Sequence, residues 1–197
     1  MSNSATTLTR PARTARSDAT AQPRGHVQTA PAPGNVDLPS ITPLMYALMF
    51  RNIASDGFFF TDPQAPWDDS RNSKPGCVIA APSFPAETPG IDEDYVFNWV
   101  RDAAIAVMEV ARADLPTRPG GTVQTLNDYV QFASLCHDNA QPTKGHACFT
   151  IAGQARPWTE QNDGPALQTC TLLAAYGQLD PGIQKTAVEL VNANVAF

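Results

Sequence analysis

Between Glu93 and Asp102 the run Glu-Asp-Tyr-Val-Phe-Asn-Trp-Val-Arg-Asp crowds three acids, three aromatic rings and an arginine into ten positions. That mixture suits a neutral, hydroxyl-rich ligand, because flat rings cover the apolar faces of a sugar while charged groups grip vicinal hydroxyls. A hydrogen bond to a charged partner contributes about 1.5–3 kcal/mol. Arg101 and Asp102 are the leading candidates, since they stand where loop-like sequence turns into the apolar run Ala103-Ala104-Ile105-Ala106-Val107-Met108. A simpler role also exists: a carboxylate in a first helical turn complements the helix dipole, with the arginine pairing an acid. It accounts for Asp102 and leaves the aromatic rings unexplained.

A second patch, Arg156-Pro157-Trp158-Thr159-Glu160-Gln161-Asn162-Asp163-Gly164-Pro165, also leads into apolar sequence. Asp163, Gly164 and Pro165 read as cap, turn and first helical residue. Arg156 and Trp158 are not needed for capping, and both suit the rim of a pocket.

The elements that position these patches are helical almost throughout. Thr42-Pro43 predicts a helix start, with Gly57 as its stop. Residues 57–98 are dense in Gly, Pro and Asp, and their two apolar bursts, Phe58-Phe59-Phe60 and Val78-Ile79-Ala80-Ala81, are too short for helices. A long structured loop with at most short strands is expected there. The helix after Trp99 is apolar nearly all round and should be buried on most sides. Residues 122–138 place Val123, Leu126, Val130 and Ala133 on one face, with Gln124, Asn127, Asp128 and Gln131 elsewhere, so an amphipathic helix is expected. A mostly apolar helix follows from Pro165 to Leu179, and another begins at Asp180-Pro181. Short connections make such neighbours antiparallel. The pattern predicts an all-α architecture with an inner and an outer layer.

Composition narrows the partners. The net charge of −6 and the lack of a basic stripe argue against nucleic acid. The first 36 residues hold four arginines against Asp18, a surplus of three positive charges, which leaves the remainder near −9. Residues 1–38 are rich in Ala, Thr, Pro and Arg and are expected to form a disordered arm, with the folded region at 39–197. No stretch reaches the roughly 18 apolar residues of a membrane span. The start shows no secretory h-region, which favours a cytoplasmic over a secreted protein. Cys77, Cys136, Cys148 and Cys170 are expected as reduced, buried thiols. Cys136-His137 and His146-Ala147-Cys148 have zinc-ligand types, but adjacent Cys and His side chains diverge, so no metal and no cofactor are expected.

Three strings in order carry a resemblance: Gly76-Cys77-Val78-Ile79-Ala80-Ala81-Pro82-Ser83; Asp94-Tyr95-x-Phe97-x-Trp99-x-Arg101-Asp102; and Arg156-Pro157 with Gln161-Asn162-Asp163-Gly164-Pro165-Ala166-Leu167. Together they resemble glycoside hydrolase family 15, the glucoamylases, in the N-terminal part of the catalytic domain. The resemblance implies an (α/α)6 barrel of the six-hairpin glycosidase type, here incomplete, with about five helices. It implies an inverting, exo-acting glucan 1,4-alpha-glucosidase that releases glucose from non-reducing ends of starch-like glucans and maltooligosaccharides. By match, Arg101 and Asp102 hold the terminal glucose hydroxyls, Tyr95 and Trp99 line the same subsite, and Arg156 lies at the pocket. Trp158 corresponds to a tryptophan near the leaving-group subsite, across an altered spacing.

Inverting hydrolysis needs a carboxylic acid and a carboxylate base about 6.5–9.5 Å apart. By the resemblance, neither Glu93, Asp94, Glu160 nor Asp163 matches either role. The chain is therefore expected to lack both groups, to bind weakly and to hydrolyse little. Its apolar inner faces, with Ile105, Val107, Leu172 and Leu173, should lack partners unless the remainder of the barrel covers them. The alternatives are a non-catalytic carbohydrate-binding or regulatory remnant, or a helical module that binds another protein.

Overall fold

The computed structural model describes residues 38–62, 65–66, 68–82, 95–113, 121–140, 144–156 and 160–197. The expected arm, apart from Leu38, lies outside these residues. Five α-helices dominate: α1 (Leu38–Phe50), α2 (Val100–Ala113), α3 (Gly121–Asp138), α4 (Asp163–Ala175) and α5 (Pro181–Val195). Two short strands, β1 (Asn98–Trp99) and β2 (Cys148–Phe149), pair antiparallel. None of the described helices is long and apolar enough to cross a membrane.

Helix α1 begins before the expected Thr42-Pro43 start and carries Pro43 inside it, where the ring removes one main-chain donor. Packing offsets that loss: the Tyr46 and Phe50 rings stack edge-on at 5.0 Å and are buried. Gly57 does not stop this helix. It turns the chain at φ +79° between Ser55 and Phe58, which exchange main-chain hydrogen bonds of 2.8 and 3.0 Å. The described part of the 57–98 loop holds only isolated bridges, such as Thr61 with Asn72, before β1.

The helices form two layers. Val100 lies against Gly164, the Thr171 hydroxyl donates to the Ala104 carbonyl at 2.8 Å, and Gln178 Nε2 donates to the Ala111 carbonyl at 2.8 Å. Contacts that advance together along both chains mean that α2 and α4 run parallel. The Gln178 bond also answers a carbonyl near the end of α2 that no further helical turn can satisfy, as does the Tyr46 hydroxyl at the Val110 carbonyl. Across the layers, α4 and α5 are antiparallel: Asn194 near the end of α5 donates to Gln168 near the start of α4 at 2.9 Å. Val107, Leu126, Val130, Leu172 and Leu190 fill the core between the layers.

The sequence pattern misjudged which helices are buried. Helix α3, expected to be amphipathic, buries Asn127 and Asp128 along with Leu126, Tyr129, Val130 and Phe132, while Val123 is exposed. Asn127 is tolerated inside because it donates to Asp180 at 2.7 Å and accepts from the Asp180 main chain at 3.1 Å. Helix α2, expected to be buried on most sides, leaves Ile105 in solvent, and Leu173 on α4 is also exposed, in line with the expectation that both lack partners in an incomplete barrel. Val107 and Leu172, expected to lack partners, are buried instead. The start of α5 matches expectation, with Asp180 as cap and Pro181 first in the helix.

All four cysteines are free, with Cys77, Cys136 and Cys148 buried, whereas Cys170 on α4 is exposed, against expectation. Burial pushes the Cys77 and Cys136 thiols up, which keeps them protonated and unreactive. Among the described residues, no three His, Cys, Asp or Glu side chains gather as metal ligands.

His137, in the last turn of α3, has its pKa lowered from the usual 6.5 by burial and by Lys144, against a smaller opposing effect of Asp138. The folded state therefore holds this ring neutral where the unfolded chain would protonate it. Its contribution is complete above pH 6.5 and is lost as pH falls through the lower folded value. Thermal melts between pH 7 and 5 should show a modest fall in Tm, and His137→Gln should make that fall shallower. An unchanged pH slope in the variant would remove the assignment.

Candidate functional site

The site is built on the strip Gly76–Ala81. Its main chain bonds to residues 52–54 on one side, with Ala54 N donating to Cys77 O at 2.8 Å and Ile79 N to Asn52 O at 2.9 Å. On the other side, Ala80 N and Ala81 N donate to the carbonyls of Phe97 and Tyr95 at 3.3 and 3.2 Å. The buried Asn98 side chain accepts from Val78 N at 3.3 Å and ties the strip to β1. The first two strings of the sequence thus lie side by side.

β1 passes directly into α2. Trp99 is half-buried and pairs with Cys148 on β2, and Val100 N donates to the Ala147 carbonyl at 3.0 Å. This short ladder fixes where the first turn of α2 starts, and so where Arg101 and Asp102 project. A return strand brings in the third string: Ala155 bridges to Phe149, and Arg156 N donates to Cys148 O at 3.2 Å. The Arg156 guanidinium then lies over the Phe97 ring, 3.9 Å from its centroid, a cation–π contact.

Arg101 is the hub. Its Nη2 lies 3.4 Å from Asp102 Oδ2, and its Nη1 lies 3.4 Å from both Gln161 Oε1 and Asp163 Oδ2. The side chains of Arg101, Asp102 and Asp163 are 40%, 45% and 49% exposed, so this cluster forms an open rim that a ligand can reach. The distances exceed the 2.7–2.9 Å of a tight charge-assisted bond, which marks a loose arrangement.

Of the expected site residues, Arg101 and Asp102 touch each other, and Trp99 and Arg156 share the Cys148 ladder. Tyr95 is 54% exposed and makes no hydrogen bond or ion pair with Arg101 or Asp102. Trp158 lies outside the described residues, as do Glu93 and Asp94. Asp163 departs from its expected role. It is the first residue of α4, the cap position falls on Asn162, and neither supplies a side-chain cap bond. The Asp163 carboxylate crosses to Arg101 instead. Sequence reasoning also passed over Phe97 as a platform for Arg156, although its place among the alternating rings of the second string was a usable signal.

Helices α2 and α4, parallel to each other, with α5 antiparallel across from α4, belong to an all-α architecture of the (α/α)6 type, incomplete here with five described helices. The family model for glycosyl hydrolases family 15 matches residues 69–197, so the chain belongs to that family. The structure is similar to that of a glucoamylase from Saccharomycopsis fibuligera, with a TM-score of 0.54 and 20% sequence identity. The match covers 77% of this chain and 34% of that one, so the chain spans about a third of the glucoamylase's length. No curated protein sequence matches the chain.

Proposed function

We propose that this region supplies the sugar-gripping part of a glucose subsite in an inverting, exo-acting glucan 1,4-alpha-glucosidase that acts on starch-like glucans and maltooligosaccharides. One observation carries the reading: Arg101 and Asp102 stand together, half-exposed, at the ladder-fixed start of α2. Within it, Asp102 accepts from sugar hydroxyls and Arg101 donates to the neighbouring oxygens. Trp99 and Tyr95 offer ring surface, and Arg156, held on Phe97, lies beside them. Trp158 is proposed for the neighbouring subsite. The general acid and base are assigned to other parts of the family fold, because by the resemblance none of Glu93, Asp94, Glu160 and Asp163 stands at either position.

The direct test is calorimetry with maltose and acarbose on the wild type and Asp102→Asn. Replacing a charged acceptor by a neutral one forfeits part of a bond worth about 1.5–3 kcal/mol, so affinity should fall by about three- to tenfold. Equal affinity in the two proteins would end the proposal that Asp102 grips sugar. For an intact protein carrying this region, failure to release glucose from maltooligosaccharides would end the activity reading.

A further inference from the structure

A guanidinium beside an adjacent carboxylate has an obvious way to be wasted: it can fold onto its neighbour and consume both oxygens in a two-point pair. Arg101 does not do so. Nη2 approaches Asp102 Oδ2 at 3.4 Å, while Nη1 is drawn to Gln161 and Asp163 on the far side of the rim. One positive charge is shared by two carboxylates, so Asp102 keeps the acceptor strength of an incompletely neutralised anion.

We propose that Asp163 and Gln161 are positioning residues for Arg101, holding its guanidinium against α4 so that Arg101 and Asp102 can engage hydroxyls of one sugar ring together. The inference rests on the sugar-binding reading above and adds to it the residues that set the geometry.

Three features let α4 do this. Gly164 brings the two helix starts close: a Cβ there would lie 3.2 Å from Val100 Cβ and Cγ1, tighter than ordinary packing allows. The turn before α4 is pinned, because Gln161 N donates to the Gly145 carbonyl at 3.0 Å and Glu160 bridges to His146. Asp163 spends its carboxylate on Arg101 rather than on a cap bond. Arginine also carries about 2 kcal/mol of rotamer entropy, so a fixed partner on a second helix removes disorder before the ligand arrives.

The experiment uses the 197-residue chain as wild type, Asp163→Ala, Asp163→Asn, Arg101→Lys and the Asp163→Ala/Arg101→Lys double variant. Maltose affinity is measured by calorimetry, and rotation of the Arg101 guanidinium by 15N NMR. Asp163→Ala should weaken maltose binding about two- to fivefold, the scale of coupling for a half-exposed pair. Asp163→Asn, which keeps an oxygen acceptor, should recover part of that loss. In the Arg101→Lys background, removing Asp163 should cost less than twofold. Guanidinium rotation should be slower in the wild type than in Asp163→Ala, with melting temperatures alike. Full additivity in the double variant, or a loss of affinity that tracks a loss of Tm, would overturn the proposal. If Asp102→Asn binds maltose like the wild type, the sugar reading falls; the guanidinium rotation then still decides whether Asp163 holds Arg101. If Asp102→Asn loses affinity while Asp163→Ala changes neither binding nor rotation, the positioning role alone falls.

Discussion

Gly76→Ala is expected to leave the chain unfolded or molten at room temperature. Gly76 has φ +82°, where a side chain other than hydrogen costs about 1–2 kcal/mol by itself. The larger penalty is steric. A Cβ at Gly76 would lie 2.1 Å from the Asp128 carbonyl oxygen, 2.2 Å from its carbon and 2.6 Å from Tyr129 N. These are main-chain atoms in the middle of α3, flanked by the buried Leu126 and Val130, so no flexible side chain can move aside. Relief requires shifting either α3 or the strip that carries Cys77, Val78 and Ile79, all of them core residues. The combined cost should exceed about 4 kcal/mol, a large share of the roughly 5–15 kcal/mol that holds a domain folded. Gly57→Ala is the matched control, with φ +79° and no atom within 4 Å of its Cβ, and it should cost only about 1 kcal/mol. Urea denaturation of the two variants should separate them widely. A Gly76→Ala protein with the midpoint of Gly57→Ala would mean that the strip does not lie against α3 as described. Because the strip aligns Tyr95 through Asn98, the damage would reach the Arg101–Asp102 rim as well as the core.

What the sequence disclosed, and what it hid, follows from the range of the forces involved. Asp180-Pro181 announced α5 correctly because cap and proline chemistry act within one turn. The same signal failed at Thr42-Pro43, where burial of Tyr46 and Phe50 holds a helix that local rules would begin later. Asp56-Gly57 is a strong two-residue turn signal, but it was passed over in favour of a helix stop. Asn127 looked like a surface residue because its partner, Asp180, is 53 positions away, and no periodicity reveals such a pair. Asp163 was explained locally as a cap when its carboxylate is used across the site, 62 residues from Arg101. Arg101, Asp102, Trp99 and Arg156 stand out as candidates because they sit inside the three strings of the sequence. Their mutual geometry was not legible, since it depends on the Cys148 ladder and on how closely Gly164 lets α4 approach α2.

Neighbouring leucines on α4 give the other large effect, and they should behave oppositely. Leu172 is 1% exposed and packs in the core with Val107 and Leu190, whereas Leu173 is 64% exposed. Leu172→Ala removes buried methyl groups and leaves a hole, a change that costs 2.7–5 kcal/mol in rigid cores. Leu172 also borders an open apolar groove with Leu173, Tyr176, Ala187, Val188 and Val191, so neighbours can partly collapse into the space. The expected cost is therefore about 2–3 kcal/mol, read as a lower urea midpoint with an unchanged slope. Leu173→Ser should move stability by less than about 0.5 kcal/mol in the isolated chain. It should also reduce self-association at high concentration, because it breaks the exposed apolar patch that Leu173 forms with Tyr176 and Val188. In a longer protein in which another helix covers that patch, the same Leu173→Ser change should become destabilising by about 1–3 kcal/mol, as for any buried leucine made polar. The comparison thus reads out whether α4 presents an inner barrel face. If Leu173→Ser proved as costly as Leu172→Ala in the isolated chain, α4 would have to be rotated about its axis, and Asp163 could no longer be aimed at Arg101.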